Sequence, residues 1–375
     1  MSISIKIKRL YRTILSYRLR KSQRRYILSI MEKNHIPNES VEGENEFLQK
    51  WNILGGVADV VNYRCFSKYL GNNPNLLSGS LCVQFIEPLL NPIRYRDYYE
   101  DKNVFGKLYP KEWMPKTFLR KMNGIFMDED YNLVEVTDSN ILSYVNNVDK
   151  FILKPTVDSC SGRSISLFHK ENGRYVNQNG HMFTLDYVNQ NYGNDFIIQA
   201  CLEQSDYMSQ FNPTSVNTIR LTVYRSVKDN SLHVTNGIIR IGASKAVVDN
   251  AHSGGKFCGI DLNGNLNKYV CETYGEKSEI FNGINFNESK FQIPNFEEVK
   301  RFAINIVKEI PHHRIIALDI ALDKTNTPKL IEYNIGAYSY WLFQFSGQVA
   351  LDGFTDEIID YCKKHNNYTI ASIKI

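Results

Sequence analysis

The sequence lacks several features that mark common protein classes. No stretch approaches about 18 uninterrupted apolar residues, so no segment is expected to span a membrane. The N-terminus has scattered Lys and Arg rather than a basic start followed by an apolar core, so no secretion signal is expected. These two absences favour a cytoplasmic protein.

Paired cysteines and glycine-rich phosphate motifs are missing as well. The chain has seven cysteines, widely spaced and without a Cys-x-x-Cys pair, which favours neither a disulfide framework nor a zinc site. It contains neither Gly-x-Gly-x-x-Gly nor a Walker-type loop. Gly-x-Ser-x-Gly is also absent, which disfavours covalent hydrolase chemistry.

Acidic residues are absent from the first 31 positions, which carry nine Lys or Arg. Ile7, Leu10, Ile14 and Leu15 recur there at helical spacing beside the basic residues, which predicts a basic amphipathic helix over residues 1–35. Three roles fit: a packed helix with a solvated basic face, a contact with anionic lipid at a membrane surface, or a contact with a partner. No nucleic-acid-binding fold accompanies the charge, so nucleic acid is not an expected partner.

What the chain does contain is enough apolar sequence for two or three domains. It has 375 residues, of which 43% are apolar. From residue 151 onward, short apolar runs alternate with Gly, Asn and Asp turns, which predicts antiparallel sheet. The predicted strands are 151–155, 164–169, 196–202, 218–225 and 233–241. The expected class is α+β, with helices covering one face of the sheets.

Two further local patterns are specific. An apolar stripe from Phe296 to Ile310 predicts a helix that ends at Pro311 and packs on the sheet. Asn263-Gly264 lies between two apolar runs and predicts a two-residue hairpin turn.

The most informative pattern is a hairpin near the C-terminus. Two apolar strands flank the polar turn 323–328, and with the turn centred on Thr325 and Asn326, Asp319 falls opposite Glu332. Glu332 and Asn334 share one face, because side chains alternate along a strand. Such oxygen ligands suit Mg²⁺ held together with nucleotide phosphates. A surface hairpin with exposed acids would give the same pattern.

Cationic residues occur in several other segments. Lys154-Pro155 ends a predicted strand, and the small polar loop that follows contains Ser161, Gly162 and Arg163, which suits phosphate oxygens or an ordinary surface hairpin. Arg220 and Arg240 lie within apolar strands, where each needs an anionic partner. That partner is either a phosphate or a buried carboxylate.

The strand 196–202 ends in polar residues. Backbone groups at Cys201 and Leu202 would suit an adenine edge, and the carboxylate of Glu203 would suit ribose hydroxyls. A core strand with a polar end explains the same pattern.

In their order and spacing, these segments resemble the ATP-grasp superfamily, in particular its sugar-transfer-associated branch, which includes teichuronopeptide-synthesis-like proteins of polysaccharide biosynthesis. The resemblance covers the chain from about residue 101 onward. It implies an ATP-grasp fold with antiparallel sheets, covering helices, and a nucleotide bound between two subdomains.

The resemblance also implies roles for individual residues. Phosphate contacts would come from Lys102, Lys154, Ser161, Gly162 and Arg163, and nucleoside contacts from Gln199, Cys201, Leu202 and Glu203. The metal ligands would be Asp319, Glu332 and Asn334, and the reacting acyl phosphate would face Arg220, Arg240 and Asn250.

The implied activity is an ATP- and Mg²⁺-dependent carboxylate–amine ligase of the cell envelope. Its substrates would be a small carboxylate, such as a uronic acid or glycan precursor, and an amine or amino acid. A kinase of a sugar or polyol, or a non-catalytic nucleotide- or glycan-binding module, would use the same residues. Tyr338, Tyr340 and Trp341 are expected either in the acceptor pocket or in the core.

The expected organisation has four parts. Residues 1–35 form the basic helix, and residues 36–100 form an N-terminal region with no assigned role. Residues 101–205 form the first ATP-grasp subdomain, and residues 206–375 form the second subdomain with the metal site.

Overall fold

The computed structural model describes residues 3–54, 58–157, 165–244, 254–336 and 338–365, with side chains described from Ile14 onward. Four of the predicted site residues, Ser161, Gly162, Arg163 and Asn250, lie outside the described residues.

Helices and strands alternate in blocks along the described chain. The helices are α1 (Ile3–Lys33), α2 (Glu44–Trp51), α3 (Val60–Leu70), α4 (Gly79–Leu81), α5 (Glu87–Leu90), α6 (Arg96–Glu100), α7 (Phe105–Leu108), α8 (Leu185–Tyr192), α9 (Asp206–Ser209), α10 (Phe296–Lys308), α11 (Tyr340–Phe345) and α12 (Thr355–His365). The strands are β1 (Thr117–Met122), β2 (Ile125–Met127), β3 (Lys150–Pro155), β4 (Ser166–Glu171), β5 (Arg174–Asn177), β6 (Phe196–Ala200), β7 (Thr218–Arg225), β8 (Leu232–Ile241), β9 (Lys256–Ile260), β10 (Val270–Cys271), β11 (Lys277–Ser278), β12 (Ile280–Phe281), β13 (Ile284–Asn285), β14 (Ile315–Leu322) and β15 (Pro328–Asn334).

The described strands form two large sheets and a separate two-stranded sheet, β12-β13. The smaller of the two large sheets, called the smaller sheet below, is antiparallel and has six strands in the order β2-β1-β6-β3-β4-β5. One face is apolar and packs with α8, as Phe151, Leu153 and Ile198 show by their complete burial. Because side chains alternate along a strand, Lys154 and Gln199 point to the other face. The pairing of Lys154 with Ile197 and of Ile152 with Gln199 places the two residues on neighbouring strands.

The larger sheet has seven strands in the order β11-β10-β9-β8-β7-β14-β15. The helix predicted from residue 296 to 310 is observed as α10. It packs on one face of the sheet, where it buries Ile219, Leu221 and Leu318. The expectation that helices cover a single face is incomplete for this sheet. Its second face also packs against helices, because α1, α3 and α11 supply apolar side chains such as Phe66 and Phe345.

The predicted C-terminal hairpin is confirmed as β14 and β15, and β15 is the edge strand of the larger sheet. Its turn is held by the Asp323 carboxylate, which accepts the backbone N–H groups of Thr325 at 2.9 Å and Thr327 at 3.0 Å. Asn326 takes a positive φ of 61°, a conformation that Asn tolerates better than most residues.

The two-residue turn predicted at Asn263-Gly264 is wrong. The chain instead turns over residues 261–265, where the Asp261 carboxylate accepts the N–H groups of Asn263 at 2.9 Å and Asn265 at 2.8 Å. The Asp side chain satisfies the backbone N–H groups of the residues two and four positions later. This arrangement is an alternative to a two-residue hairpin turn.

The predicted basic helix is observed as α1. Its C-terminal part packs on the body of the protein through Ile27, Ile30 and Met31, whereas Ile14 and Tyr17 are 44% and 58% exposed. Among the helices in the described part of the chain, none combines the length and apolar character needed to cross a bilayer.

Candidate active site

Two carboxylates meet on the β14–β15 hairpin. Asp319 pairs directly with Glu332 across the two strands, as the position of the turn predicts. The Glu332 carboxyl lies within hydrogen-bonding reach of Asp319, and Asn334 follows two residues later at the end of β15. Two adjacent carboxylates repel each other when both are ionised, so this place in the fold requires positive charge.

Arginines from the neighbouring strands supply part of that charge. Arg220 donates through Nε to Asp319 Oδ1 and through Nη2 to Oδ2, both at 2.7 Å, and Arg240 Nη1 donates to Oδ2 at 2.8 Å. Burial alone would raise the pKa of Asp319, but the two guanidinium groups lower it below its usual value. In this structure, a buried carboxylate is therefore the partner of both arginines.

Two lysines approach the same acids from the smaller sheet and the segment before it. Lys102 Nζ lies 3.2 Å from Glu332 Oε2. Lys154 lies close enough to Lys102 and Glu332 to be affected by both charges: burial, followed by Lys102, lowers its pKa to about 8, and Glu332 partly opposes this. Two ammonium groups in a partly desolvated position provide a binding place for a multiply charged anion.

A cleft runs between the face of the smaller sheet and the edge strand β15. Lys102, Lys154 and Gln199 line one part of it, opposite Leu330 and Ile331 of β15. Gln199 is held in place because its amide donates to Pro115 O and Thr117 Oγ1, both at 3.3 Å.

The cleft continues past Met114 and Pro115 into a cavity of about 330 Å³. Its lining includes Cys201, Leu202 and Glu203. Glu203 is 55% exposed and forms an ion pair of 2.5 Å with Lys324, which lowers the pKa of its carboxyl. The volume is in the range of small-ligand sites. The structure thus brings the described residues of the predicted phosphate and nucleoside sites to one cleft. Of the predicted metal ligands, Glu332 contacts Lys102 of this cleft, whereas Asp319 is 1% exposed.

Of the three aromatic residues after Asn334, two belong to the core. Tyr338 and Tyr340 are 1% and 6% exposed. Trp341 is half-buried and contacts Phe257 edge to face, with 5.9 Å between ring centroids. Only Trp341 of this group therefore retains surface for a ligand.

A family model described as sugar-transfer associated ATP-grasp matches residues 83–359, well over half of the chain. The chain belongs to this family. Its two large antiparallel sheets with covering helices are the ATP-grasp architecture that the sequence resemblance predicts. No curated protein matches the chain.

Solved structures with a similar arrangement are ligases and synthetases by name. A D-alanine–D-alanine ligase from Coxiella burnetii has 9% identity and a TM-score of 0.37 over 72% of this chain and 60% of its own. D-cycloserine synthetase DcsG has 11% identity and a TM-score of 0.41 over 74% of this chain and 73% of its own. N5-carboxyaminoimidazole synthetase from Staphylococcus aureus, solved with ADP, has 12% identity and a TM-score of 0.38 over 69% of this chain and 52% of its own. This chain thus spans only part of the length of these proteins.

The hairpin of this ATP-grasp protein has a donor set that fits Mg²⁺, because it consists of two carboxylates and an amide. Arg220 and Arg240 donate three hydrogen bonds to Asp319, which favours its ionised form, and Glu332 lies beside it on the next strand. The Asn334 side chain has a buried amide nitrogen without a hydrogen-bond partner, so the side chain is not fixed by another contact at that atom. Within the described residues, no group of three His, Cys, Asp or Glu side chains is placed to hold a metal. A cation at the hairpin would have the two carboxylates and the amide oxygen of Asn334 as its protein ligands.

Two residues that shape the cleft have no recognisable signal in the sequence. Arg120 lines it from β1, where it donates to the backbone carbonyl of Asn103 at 3.0 Å. Asn103 is fully buried and donates to Lys121 O at 2.9 Å and Thr156 Oγ1 at 3.2 Å, which fixes the segment that carries Lys102. An Arg within a strand and an Asn after a short helix are common, so only their tertiary contacts reveal these roles.

Proposed function

We propose that the protein is an ATP- and Mg²⁺-dependent carboxylate–amine ligase that works through an acyl phosphate. The observation that carries the proposal is the meeting of Lys102 and Lys154, which line the cleft, with Glu332 of the Asp319–Glu332 pair. Lysines attract the triphosphate, and paired carboxylates hold the cation that accompanies it. The membership in an ATP-grasp family supports the same assignment.

In this proposal the cleft divides into phosphate and nucleoside parts. Lys102 and Lys154 bind phosphate oxygens, together with Ser161, Gly162 and Arg163, which follow β3 in the sequence. Gln199 and Glu203 contact the nucleoside, with backbone groups of Cys201 and Leu202 at the base. The cavity beside these last residues supports their assignment.

The reaction transfers the γ-phosphoryl group and then replaces it. A carboxylate oxygen of the substrate forms a bond to the γ-phosphorus as the bond to the bridging oxygen of ADP breaks. The amine nitrogen then attacks the acyl carbon, inorganic phosphate leaves with the bonding electron pair, and the nitrogen loses a proton. Mg²⁺ held by Asp319, Glu332 and Asn334 would supply charge neutralisation at the phosphate oxygens.

The two arginines are assigned to the second step of this reaction, in which the amine attacks the acyl phosphate. Arg220 and Arg240 already share the Asp319 carboxylate, and Arg240 keeps 16% of its side chain exposed. We assign Arg240 and Arg220, with Asn250, to the acyl phosphate, because guanidinium groups match the geometry of phosphate oxygens.

The proposed substrates follow from the association of the family with sugar transfer. A uronic acid or related glycan precursor supplies the carboxylate, and an amino acid or other amine attacks it. We propose residues 101–205 and 206–375 as the two subdomains that enclose the nucleotide. Helix α1 is proposed as a peripheral contact with an anionic membrane surface, where envelope precursors are assembled.

The test is to detect the activated intermediate. The protein is incubated with ATP, Mg²⁺ and a panel of uronic acids in hydroxylamine, and both ADP and hydroxamate are measured. The ligase proposal expects both products to form with at least one acid, and neither to form with the Asp319→Asn variant. A phosphorylated product that resists hydroxylamine would identify a kinase instead. No ADP release with any acceptor would identify a non-catalytic binding module.

A further inference from the structure

The turn that follows Asn334 is held by a carboxylate from the preceding region of the chain. Glu100, the last residue of α6, accepts through Oε1 the backbone N–H of Ile335 at 2.7 Å and that of Gly336 at 2.9 Å. Hydrogen bonds to a charged acceptor are among the stronger ones in proteins. The direction of the chain immediately after Asn334 is therefore fixed by Glu100.

The same short segment also contacts the residues before Asn334. Lys102, two residues after Glu100, lies 3.2 Å from Glu332. Asn334 is thus flanked on both sides along β15 by contacts from residues 100–102. Each contact joins a position on the strand that carries the proposed metal ligands to a segment outside the sheet.

A second brace joins the end of β15 to the start of β14. The buried side chain of Asn91 donates to Ile315 O at 2.6 Å and Ile335 O at 2.7 Å. Its oxygen accepts the N–H groups of Arg314 at 2.9 Å and Ile315 at 3.0 Å. The hairpin is therefore closed at its open end by a side chain of the N-terminal region.

Further side chains from residues 87–100 lie against this part of the chain. Glu87 Oε1 accepts the N–H of Tyr338 at 2.7 Å, which holds the far end of the turn. A Cβ added at Gly336 would lie 2.4 Å from Nη1 of Arg96, so the backbone approaches this guanidinium closely. Nε of Arg96 in turn lies 3.7 Å from Oε2 of Glu100, the second oxygen of this carboxylate. Carboxylates and a cation from residues 87–100 thus surround the turn.

We propose that Glu100 is a positioning residue that orients Asn334 for metal binding, with Asn91 and Glu87 as supporting braces. This inference rests on the proposed function, because it takes Asn334 as a metal ligand. It gives a role to residues 87–100, for which the sequence alone predicts none. The reason is geometric: a ligand at the end of an edge strand holds its position only if the chain after it is fixed.

The experiment compares three variants of the full chain by direct metal binding. Mn²⁺ is titrated into protein saturated with ADP, and bound metal is followed by electron paramagnetic resonance, with the unfolding temperature measured in parallel. Glu100→Ala removes the acceptor of both N–H groups. Glu100→Gln keeps an oxygen that can accept them. Glu357→Ala is the matched control, because Glu357 accepts two hydrogen bonds, from Tyr224 Oη at 2.8 Å and Ser226 Oγ at 3.0 Å, away from the cleft.

The proposal expects Mn²⁺ affinity to fall by about 10-fold or more in Glu100→Ala, in the range found for residues that orient metal ligands. Glu100→Gln is expected to retain most of the affinity, and Glu357→Ala to lower the unfolding temperature without changing metal affinity. Unchanged affinity in Glu100→Ala, or an equal loss in Glu357→Ala, would overturn the positioning role alone. Absence of metal binding in the wild-type protein with ADP would overturn the proposed function together with it.

Discussion

Lys154 illustrates how a single residue acquires its properties from the fold. In the sequence it is a lysine before a proline, and alternation along β3 is enough to place it opposite the apolar core. Its proximity to Lys102 cannot be predicted in this way, because the two residues are 52 positions apart and lie on different segments. The lowered pKa of Lys154, which follows from burial and from Lys102, is likewise a tertiary property.

The pKa of about 8 gives a prediction for nucleotide binding. Below about pH 8 Lys154 is protonated in the free protein and attracts phosphate, whereas above it binding must first take up a proton. ATP affinity is therefore expected to fall as the pH rises above about 8, by at most about tenfold per pH unit. Calorimetric titrations at constant ionic strength measure this dependence.

Lys154→Arg isolates the effect, because arginine keeps its charge over this range. This variant is expected to lose the decline in ATP affinity above about pH 8. Lys154→Met is expected to bind ATP weakly at every pH. The control Lys300→Met, which replaces a half-buried lysine on α10, is expected to bind ATP as the wild type does. A wild-type affinity that does not change with pH would contradict the role assigned to Lys154.

At the scale of elements, the connection between β6 and β7 joins the two sheets and borders the nucleoside cavity. Asn217 is fully buried there and donates to Met208 O at 2.8 Å and Asn212 O at 2.9 Å. Gln204 donates to Asn212 O and Ser215 O, both at 2.8 Å. This network leaves Gln204 committed to the structure rather than to a ligand.

Asn217→Ala is expected to destabilise the protein by about 1–3 kcal/mol, because the backbone carbonyls of Met208 and Asn212 lose this buried donor. It should also weaken ATP binding, since the network supports the wall of the cavity. Urea unfolding and calorimetry measure the two effects. Asn287→Ala, at an exposed position, should change the unfolding free energy by less than about 0.5 kcal/mol. An Asn217→Ala variant as stable as this control would refute the account of the connection.

Elements with strong local patterns could be predicted from the sequence. Elements that depend on an alternative side-chain hydrogen bond, or on packing between distant segments, could not. The hairpin of β14 and β15 follows from its turn, because the centre of the turn fixes which residues face each other. The turn at Asn263-Gly264 was mispredicted, because the Asp261 side chain offers the backbone another arrangement. The helical cover of the second face of the larger sheet depends on α1, α3 and α11, which are distant in sequence.

The positive charge of the whole molecule is concentrated in the first 31 residues, which carry nine Lys or Arg and no Asp or Glu. On α1, Ile14, Tyr17, Arg18, Lys21 and Arg25 are exposed at spacings that place them on one side of the helix. A face that combines basic and apolar side chains suits the surface of an anionic bilayer. The sequence predicts the helix and its charge, but only the structure shows which side remains uncovered.

Membrane binding is therefore predicted for the full chain. The protein should sediment with vesicles that contain phosphatidylglycerol and remain in solution with vesicles of phosphatidylcholine alone. The triple variant Arg18→Glu, Lys21→Glu, Arg25→Glu should lose this binding, because its face repels the anionic surface. A control with Lys308→Glu, Lys363→Glu and Lys364→Glu changes the net charge equally, at exposed positions of α10 and α12. Equal loss in both variants would show that net charge alone, and not the face of α1, governs the interaction.

In the proposed mechanism, the acids of the hairpin hold a divalent ion together with ATP. The most direct measurement is calorimetric titration of ATP with and without Mg²⁺, on the wild type, on Glu332→Gln, and on Glu297→Gln as a control at an exposed carboxylate. The account predicts Mg²⁺-dependent binding by the wild type and the control, and affinity at least about 10-fold lower in Glu332→Gln. Equal Mg²⁺-dependent affinity in all three proteins, or no binding by the wild type, would contradict it.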